Sequence, residues 1–366
     1  MEVNRYRNFL IILSFSPLAL YAKPNRERTL ESAHSYGRGG TFAAAFESDE
    51  SYRQNPASLT GAGKNLTFQT RGLDGDVFFS KSAAGTMSKF SSILSGSPTP
   101  ISILQEFTDK FGEYQYVRAQ ESLGFRLYSF DTALFVSTRN ELDGRIPAAP
   151  EASFTSDTIV GWNIGYAFDV GKNISIGLNL RPFSRFHLNT NLDFAEILTF
   201  EPLGTTPVGD LLKPTSGSGI ATDLGLLYKI TPDHQFGIMV DDIGYTSVSG
   251  MPIIKSLVSL GWALRSKGKP WHSEFSIDLK DITNPEGFHM LRMLNMGWEF
   301  GRQYISRKQD VGVMLGLQSG WLSLGAYVNL FFAKFEVINY GVELGEYPGQ
   351  RADRRWALSL KSSLDL

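Results

Sequence analysis

Five histidines and a set of charged side chains are the groups in this 366-residue sequence that could do chemistry. The histidines are far apart in the chain, and none has the spacing of metal ligands to another. They are His34, His187, His234, His272 and His289. No Ser/His/Asn set of the kind a lipase needs can be read onto one strand face, and the absence of cysteine excludes disulfides, a lipidated cysteine and thiol metal sites. We therefore predict no catalytic residue, cofactor or metal, and place the histidines in loops or at interfaces.

A second group of charged residues occurs at alternate positions within apolar stretches, on the face that carries mostly small and polar side chains. These residues are Arg126, Arg181, Asp223, Asp241, Asp278, Lys280 and Glu299. We interpret them as pointing into the lumen of a barrel. There we expect them to pair with one another and with an internal segment, in preference to selecting a solute.

The elements that carry these charges are strands, because apolar and polar residues alternate along the chain from about residue 120 onwards. In residues 159–168, Val160, Trp162, Ile164, Tyr166 and Phe168 share one face, while glycine, asparagine and alanine fill much of the other. A soluble sandwich and a membrane barrel both fit a sheet with one apolar and one polar side. The glycine-rich polar face favours a water-filled lumen, so we predict an all-β, transmembrane, antiparallel β-barrel of about 14 strands over residues 64–366.

Tryptophans and the final strand support the barrel. Trp162, Trp262, Trp298 and Trp356 all fall on apolar faces, as an interfacial girdle requires. In the last strand the alternation continues to Leu366, so we expect this strand to close the barrel against the first.

Three stretches are predicted to depart from regular strands. Residues 66–80 suggest a first hairpin that turns at Gly72, Asp74 and Gly75. Apolar residues at helical spacing predict a helical insertion near 87–112. Residues 190–217, rich in proline, glycine and threonine, suggest a second long loop.

The N-terminus predicts export. Residues 1–22 combine basic Arg5 and Arg7 with a short apolar run that Pro17 ends, which is typical of a secretory signal peptide cleaved before Lys23. A membrane-anchoring helix is the alternative, but the run is too short for it. The formal net charge is −2, with no basic stripe that would favour nucleic acid. We expect the mature chain in the outer membrane of a Gram-negative cell, in contact with its lipid.

Residues 23–63 differ from the strand series. Gly39 and Gly40 open an alanine-rich turn, and an acidic stretch then leads to Asn55, Pro56, Ala57, Ser58 and Leu59. This arrangement resembles the N-terminal hatch of FadL-type outer-membrane transporters, whose motif ends in Asn-Pro-Ala-Gly-Leu. Ser58 departs from that motif, and an ordinary turn at Asn55-Pro56 is the alternative.

The run from Gly341 to Arg355 resembles a PorV-like branch of the same superfamily. The resemblance implies a 14-stranded barrel plugged by residues 23–63. A plug also fits physically, because a barrel of about 14 strands is too wide for its side chains to fill.

For function, the resemblance implies passive uptake of hydrophobic small molecules, such as long-chain fatty acids, by a monomer. A lateral opening in the wall would release the molecule, and strands with glycine or proline, such as Gly177–Pro182, are candidates for it. The alternative is a barrel that does not transport, with a structural role or an accessory role beside a protein-secretion partner.

Overall fold

A computed structural model describes residues 27–46, 50–62, 68–83, 113–144, 151–193, 214–243, 248, 250–303 and 309–365. The signal peptide of residues 1–22 and the helical insertion near 87–112 lie outside the described residues and stay predictions. No helix in the described part of the chain is both long and apolar enough to span a membrane.

The described residues form fourteen antiparallel strands in one closed barrel, which confirms the predicted fold. Each strand pairs with its neighbours in sequence, and the last strand pairs with the first. The strands are β1 (Phe68–Ser80), β2 (Tyr114–Leu127), β3 (Phe130–Gly144), β4 (Glu151–Val170), β5 (Ile174–Asp193), β6 (Thr215–Thr231), β7 (His234–Asp241), β8 (Leu257–Gly268), β9 (Trp271–Leu279), β10 (Leu294–Gln303), β11 (Gln309–Gln318), β12 (Trp321–Leu330), β13 (Ala333–Glu343) and β14 (Ala352–Asp365).

The outer surface of the barrel is apolar, as the alternation predicts. On β4, Trp162 is 48% exposed on the outside, whereas the adjacent Asn163 is fully buried on the inside. Trp298 and Trp356 are likewise exposed on outward faces. A closed barrel with this surface pairs its strand edges and presents apolar side chains to lipid, which is the architecture of an outer-membrane protein.

The two ends of the barrel differ. At one end, five of the connections that the structure describes are tight turns, including Gly171–Asn173 between β4 and β5 as predicted. At the other end the connections are longer, apart from the one between β11 and β12. We call these the short-turn end and the long-loop end. In outer-membrane barrels short turns face the periplasm.

The predicted hairpin at 66–80 is wrong, because these residues form the single strand β1. Its pairing with β14 shifts register between Arg71 and Leu73, so Gly72 lies at a β-bulge and not in a turn. Asp74 points inward and pairs with Arg53, which gives this residue a partner inside the barrel that a solvent-exposed turn would lack. The second long loop is also shorter than predicted, because β5 runs to Asp193 and β6 begins at Thr215.

Residues 27–46 and 50–62, here called the N-terminal segment, contact the inner faces of strands on several sides. They contain helix α1 (Ala33–Gly37), which Ser32 caps by accepting the amide of Ser35, and a 3₁₀ helix at Pro56–Ala62. A second short helix, α2 (Met290–Met293), precedes β10 at the long-loop end.

Candidate functional site

Asn55 joins two parts of the N-terminal segment to the wall. Its Nδ2 lies 2.6 Å from the carbonyl of Ala43 and 3.2 Å from that of Ile238, and its Oδ1 accepts the amide of Ala57 at 3.0 Å. Pro56 then opens the 3₁₀ helix. Ser58, where the hatch motif has glycine, donates its hydroxyl to the carbonyl of Asn55 at 2.8 Å, so the substitution adds a local hydrogen bond.

Glycines of the wall allow the backbone of the segment to approach closely. A Cβ atom on Gly237 would lie 1.9 Å from the carbonyl oxygen of Ala43, and one on Gly225 would lie 2.0 Å from Oδ1 of Asn55. Within the segment, Gly39 has a φ of +65°, and a Cβ there would lie 2.1 Å from the carbonyl oxygen of Met296. The sequence predicts these wall glycines to line the lumen, but it does not reveal that the segment rests on them.

The predicted hatch residues lie on two sides of the lumen. Pro56 and Ala57 pack against Gly177 of β5, and Leu59 packs near Gly165 of β4. Gly39 and Gly40 instead contact β10 and β11, and the amide of Gly39 donates to Ser323 on β12 at 3.1 Å. The contact between Asn55 and Ala43 connects the two groups. That these residues act as a hatch stays a prediction.

The lumenal charges pair with one another and with the segment, as the sequence predicts. Arg181 bonds Asp223 at 2.7 Å, Arg28 bonds Asp241 at 2.8 Å, and Lys280 lies 3.7 Å from Glu31. Asp278 accepts the backbone amides of Phe42 and Ala43, Glu299 contacts His34, and Arg126 is buried.

Sequence reasoning missed the charged residues of the segment itself. Arg53 is fully buried and reaches Asp76 at 2.6 Å and Asp74 at 3.2 Å. Arg38 bonds Glu274 at 2.5 Å. The sequence did contain a signal for these ion pairs. Arginines lie within the predicted hatch, and acidic residues lie on the predicted lumenal faces of the strands.

Glu27 anchors the start of the described segment near the long-loop end. Burial alone would raise the pKa of this carboxyl, but the guanidinium groups of Arg355, Arg139 and Arg118 lower it to about 2. Its Oε1 accepts from Arg355 at 2.8 Å, and the hydroxyl of Tyr116 donates to its Oε2 at 2.7 Å. The carboxyl of Glu27 therefore stays ionised throughout the physiological pH range.

The pairing of β4 with β5 is interrupted at one point. Gly161 pairs with Phe183 and Ile164 pairs with Leu180, but Trp162 and Asn163 between them have no partner on β5. Pro182 stands opposite the gap and has no N–H to donate, while its pairing with β6 continues at Ile220. The gap therefore lies on one side of β5 only, within the predicted candidate range Gly177–Pro182.

Trp162, one of the two unpaired residues, points outward, and its indole donates to the hydroxyl of Thr132 on β3 at 2.5 Å. The other, Asn163, is buried inside the barrel, as is Arg181 on the β5 side. On the inside lies an apolar cluster formed by Leu30, Tyr52, Phe135, Ile159, Phe183, Ala221, Val248 and Met251. We call this the inner apolar cluster.

Cavities lie at both ends of the lumen. One of about 360 Å³ at the long-loop end is bounded by Arg139, Arg185 and Leu257 and reaches Ile159 of the inner apolar cluster. Another of about 260 Å³ at the short-turn end is lined by charged groups that include His34 and Lys334. Of these two cavities, only the first reaches a residue of the inner apolar cluster.

No protein-family profile matches the sequence, and no curated protein matches it either. Solved structures do match over nearly the whole chain. The CymD monoaromatic hydrocarbon channel is 14% identical with a TM-score of 0.51, covering 93% of this chain and 98% of CymD. The chain has a FadL-type fold. A Pseudomonas aeruginosa FadL homologue is 11% identical with a TM-score of 0.50, covering 94% of this chain and 99% of the homologue. A TodX monoaromatic hydrocarbon channel mutant (deltaS2S3) is 12% identical with a TM-score of 0.51, covering 92% and 98%.

In this FadL-type barrel, the run from Gly341 to Arg355 comprises the end of β13, the loop 344–351 at the long-loop end and the start of β14. Glu343 is fully buried and accepts the amides of Gly345 at 2.8 Å, Gly349 at 2.6 Å and Arg351 at 2.7 Å. The indole of Trp321 donates to the same carboxylate at 3.0 Å. Glu343 thus organises the loop between β13 and β14.

The prediction that each histidine lies in a loop or at an interface is wrong for His34 and His272, which lie inside the barrel. His34 lies on α1 between two carboxylates of the wall, and the inward-facing His272 lies 3.1 Å from the hydroxyl of Tyr327. Distant carboxylates fix both positions, so local sequence could not indicate them. Among the described residues no group of histidine and acidic side chains could hold a metal ion.

Proposed function

We propose that the protein is an outer-membrane channel for the passive uptake of hydrophobic small molecules. The observation that carries this proposal is the gap between β4 and β5, which has Trp162 outside and the inner apolar cluster inside. Similar folds belong to proteins described as monoaromatic hydrocarbon channels, which supports the same substrate class here. Long-chain fatty acids and other apolar molecules of similar width are the proposed substrates.

The lining of the lumen favours exit through the wall over exit at the short-turn end. An apolar molecule gains about 0.8 kcal/mol for each CH₂ group it removes from water. The cavity at the short-turn end is lined by ionised side chains such as Arg38 and Glu299, where that gain is lost. At the long-loop end the molecule also passes charged groups such as Arg139 and Asp157, and the apolar part of the proposed route begins at Ile159 and Phe183, on the inner side of the gap.

Photoaffinity labelling tests this route. Purified protein in micelles is irradiated with a photoactivatable fatty acid, and the modified residues are mapped by mass spectrometry. We expect labelling at Ile159, Phe183 and Phe135, which are buried on the inner side of the gap, and an excess of unlabelled fatty acid should abolish it. Labelling confined to outward residues such as Val160 and Leu178 would show only detergent-like contact and would contradict the route.

A further inference from the structure

The lipid-facing surface of the barrel is short along β10. Its outward apolar side chains run from Leu294 to Phe300, and the next outward residue, Arg302, is charged and lies over the ring of Trp271. The six residue steps from Leu294 to Phe300, each of about 3.4 Å along a strand tilted by about 40°, span about 16 Å of membrane thickness. The apolar band of an outer-membrane barrel is about 25 Å tall. The band along β10 is therefore incomplete.

The neighbouring strand β11 does not supply the missing height. In the register of the two strands, Val311 lies opposite Arg302 and Leu317 lies opposite Met296, so the outward side chains of β11 end at the level of those of β10. Beyond Gln318 the chain turns at once into β12, through the short connection at the long-loop end. The remaining height must come from the residues that precede Leu294.

Helix α2 lies directly before Leu294, at this low part of the wall. Met290 is 65% exposed and Leu291 is 55% exposed, so the helix presents two large apolar side chains on its surface. An α-helix with its side chains is about 10 Å across. One turn of helix at this point is therefore large enough to cover the height that β10 lacks.

The other side of α2 is fastened to neighbouring loops. Arg292 is buried, donates to the carbonyl of Glu343 at 2.9 Å and also bonds the carbonyl of Gly345. The hydroxyl of Ser319 donates to the carbonyl of Arg292 at 2.9 Å. Residues two apart in an α-helix point about 200° apart. Met290 therefore faces away from these contacts, towards the outside of the barrel.

We propose that α2 is an interfacial helix whose Met290 and Leu291 insert among the acyl chains of the outer leaflet. Membrane lipid is the partner of this surface, because the surface continues the lipid-facing side chains of β10 at the place where the apolar band falls short. Through Arg292, the lipid contact also supports the loop between β13 and β14. The contact does not depend on a transported molecule, so it holds whether or not the barrel is a channel.

Fluorescence quenching by labelled lipids tests this contact with single cysteines, since the chain has no cysteine of its own. Met290→Cys and Leu291→Cys are labelled with the fluorophore NBD. The barrels are reconstituted in phosphatidylcholine vesicles that carry a nitroxide on an acyl chain close to the headgroup. Ile253→Cys is the matched control, because Ile253 is also apolar, 54% exposed and at the long-loop end, but it borders the cavity inside the barrel.

Both α2 positions should be quenched roughly twofold more strongly than position 253, because an interfacial helix buries its apolar face about 5–10 Å deep in the leaflet. Val313→Cys, on the outward face in the middle of β11, shows the quenching of a side chain that is surrounded by lipid. Heat-modified mobility on gels shows that each labelled barrel has folded. If Val313 is quenched but Met290 and Leu291 are not both quenched more strongly than Ile253, then α2 lies in water and the interfacial helix is overturned.

Discussion

Replacing Arg53 by methionine should release the N-terminal segment from the lumen. We expect the open probability of the barrel as an ion channel to rise by two or more orders of magnitude. Arg53 is fully buried, and its Nη1 lies 2.6 Å from Asp76, while its Nη2 donates to the carbonyl of Asp74 at 2.8 Å. Methionine fills a similar space but leaves both carboxylates buried without this cation. Removing one partner of a buried ion pair costs about 3–5 kcal/mol, and each 1.4 kcal/mol is a tenfold change in the balance between attached and released segment.

Single-channel recording in planar bilayers measures this effect, and trypsin digestion of residues 27–62 provides a second readout. Lys255→Ala is the matched control, because Lys255 also pairs with an acid, Glu286, at 2.9 Å, but the two are 42% and 38% exposed. Exposed pairs contribute about 0–1 kcal/mol, so the control should behave as the wild type. Heat-modified mobility on gels shows whether each barrel has folded. A folded Arg53→Met protein with wild-type conductance and protease resistance would contradict the role of this anchor.

Closing the gap beside Pro182 with a disulfide should reduce uptake of hydrophobic molecules to the level of cells without the protein. The sequence has no cysteine, so Trp162→Cys with Pro182→Cys introduces the only two thiols. Cysteine at position 182 also restores an N–H that can pair with β4. We therefore expect uptake to decrease in the order wild type, reduced double variant and oxidised double variant, measured with a radiolabelled fatty acid before and after a reducing agent.

The control pair lies in the same two strands where pairing is intact. Tyr166 on β4 and Leu178 on β5 are directly opposite and both face outward, so their cysteine pair should leave uptake unchanged on oxidation. If the oxidised forms of both pairs transport equally well, the gap is not the exit.

The wall of the barrel was readable from the sequence because its signal is local. Each strand needs only a period of two, so the outward tryptophans and the closing strand follow from nearest neighbours in the chain, and the strand number follows from the chain length that each pair of strands uses. The same locality explains the error at β1. Gly72 and Asp74 have turn chemistry, but Asp74 is buried because Arg53, 21 residues earlier, meets it inside the barrel.

The candidate site was less readable because it depends on register between distant elements. Gly237 could be assigned to the lumen, yet its contact with Ala43 joins residues nearly 200 positions apart. Pro182 could be marked as a weak point of a strand because it lacks an N–H. Which neighbouring strand loses its partner there depends on whether the missing N–H would have pointed to β4 or to β6. The alternation of side chains does not encode this.

The most direct test of the proposed function is uptake of a labelled long-chain fatty acid or alkane by cells that lack the protein, produce it, or produce a variant without residues 31–63. We expect faster uptake with the protein than without it. We also expect the deletion to alter uptake and to admit polar solutes, because the segment no longer occupies the lumen. Equal uptake in all three strains would contradict the channel, and a stoichiometric secretion partner recovered with the protein would then favour the accessory-barrel alternative.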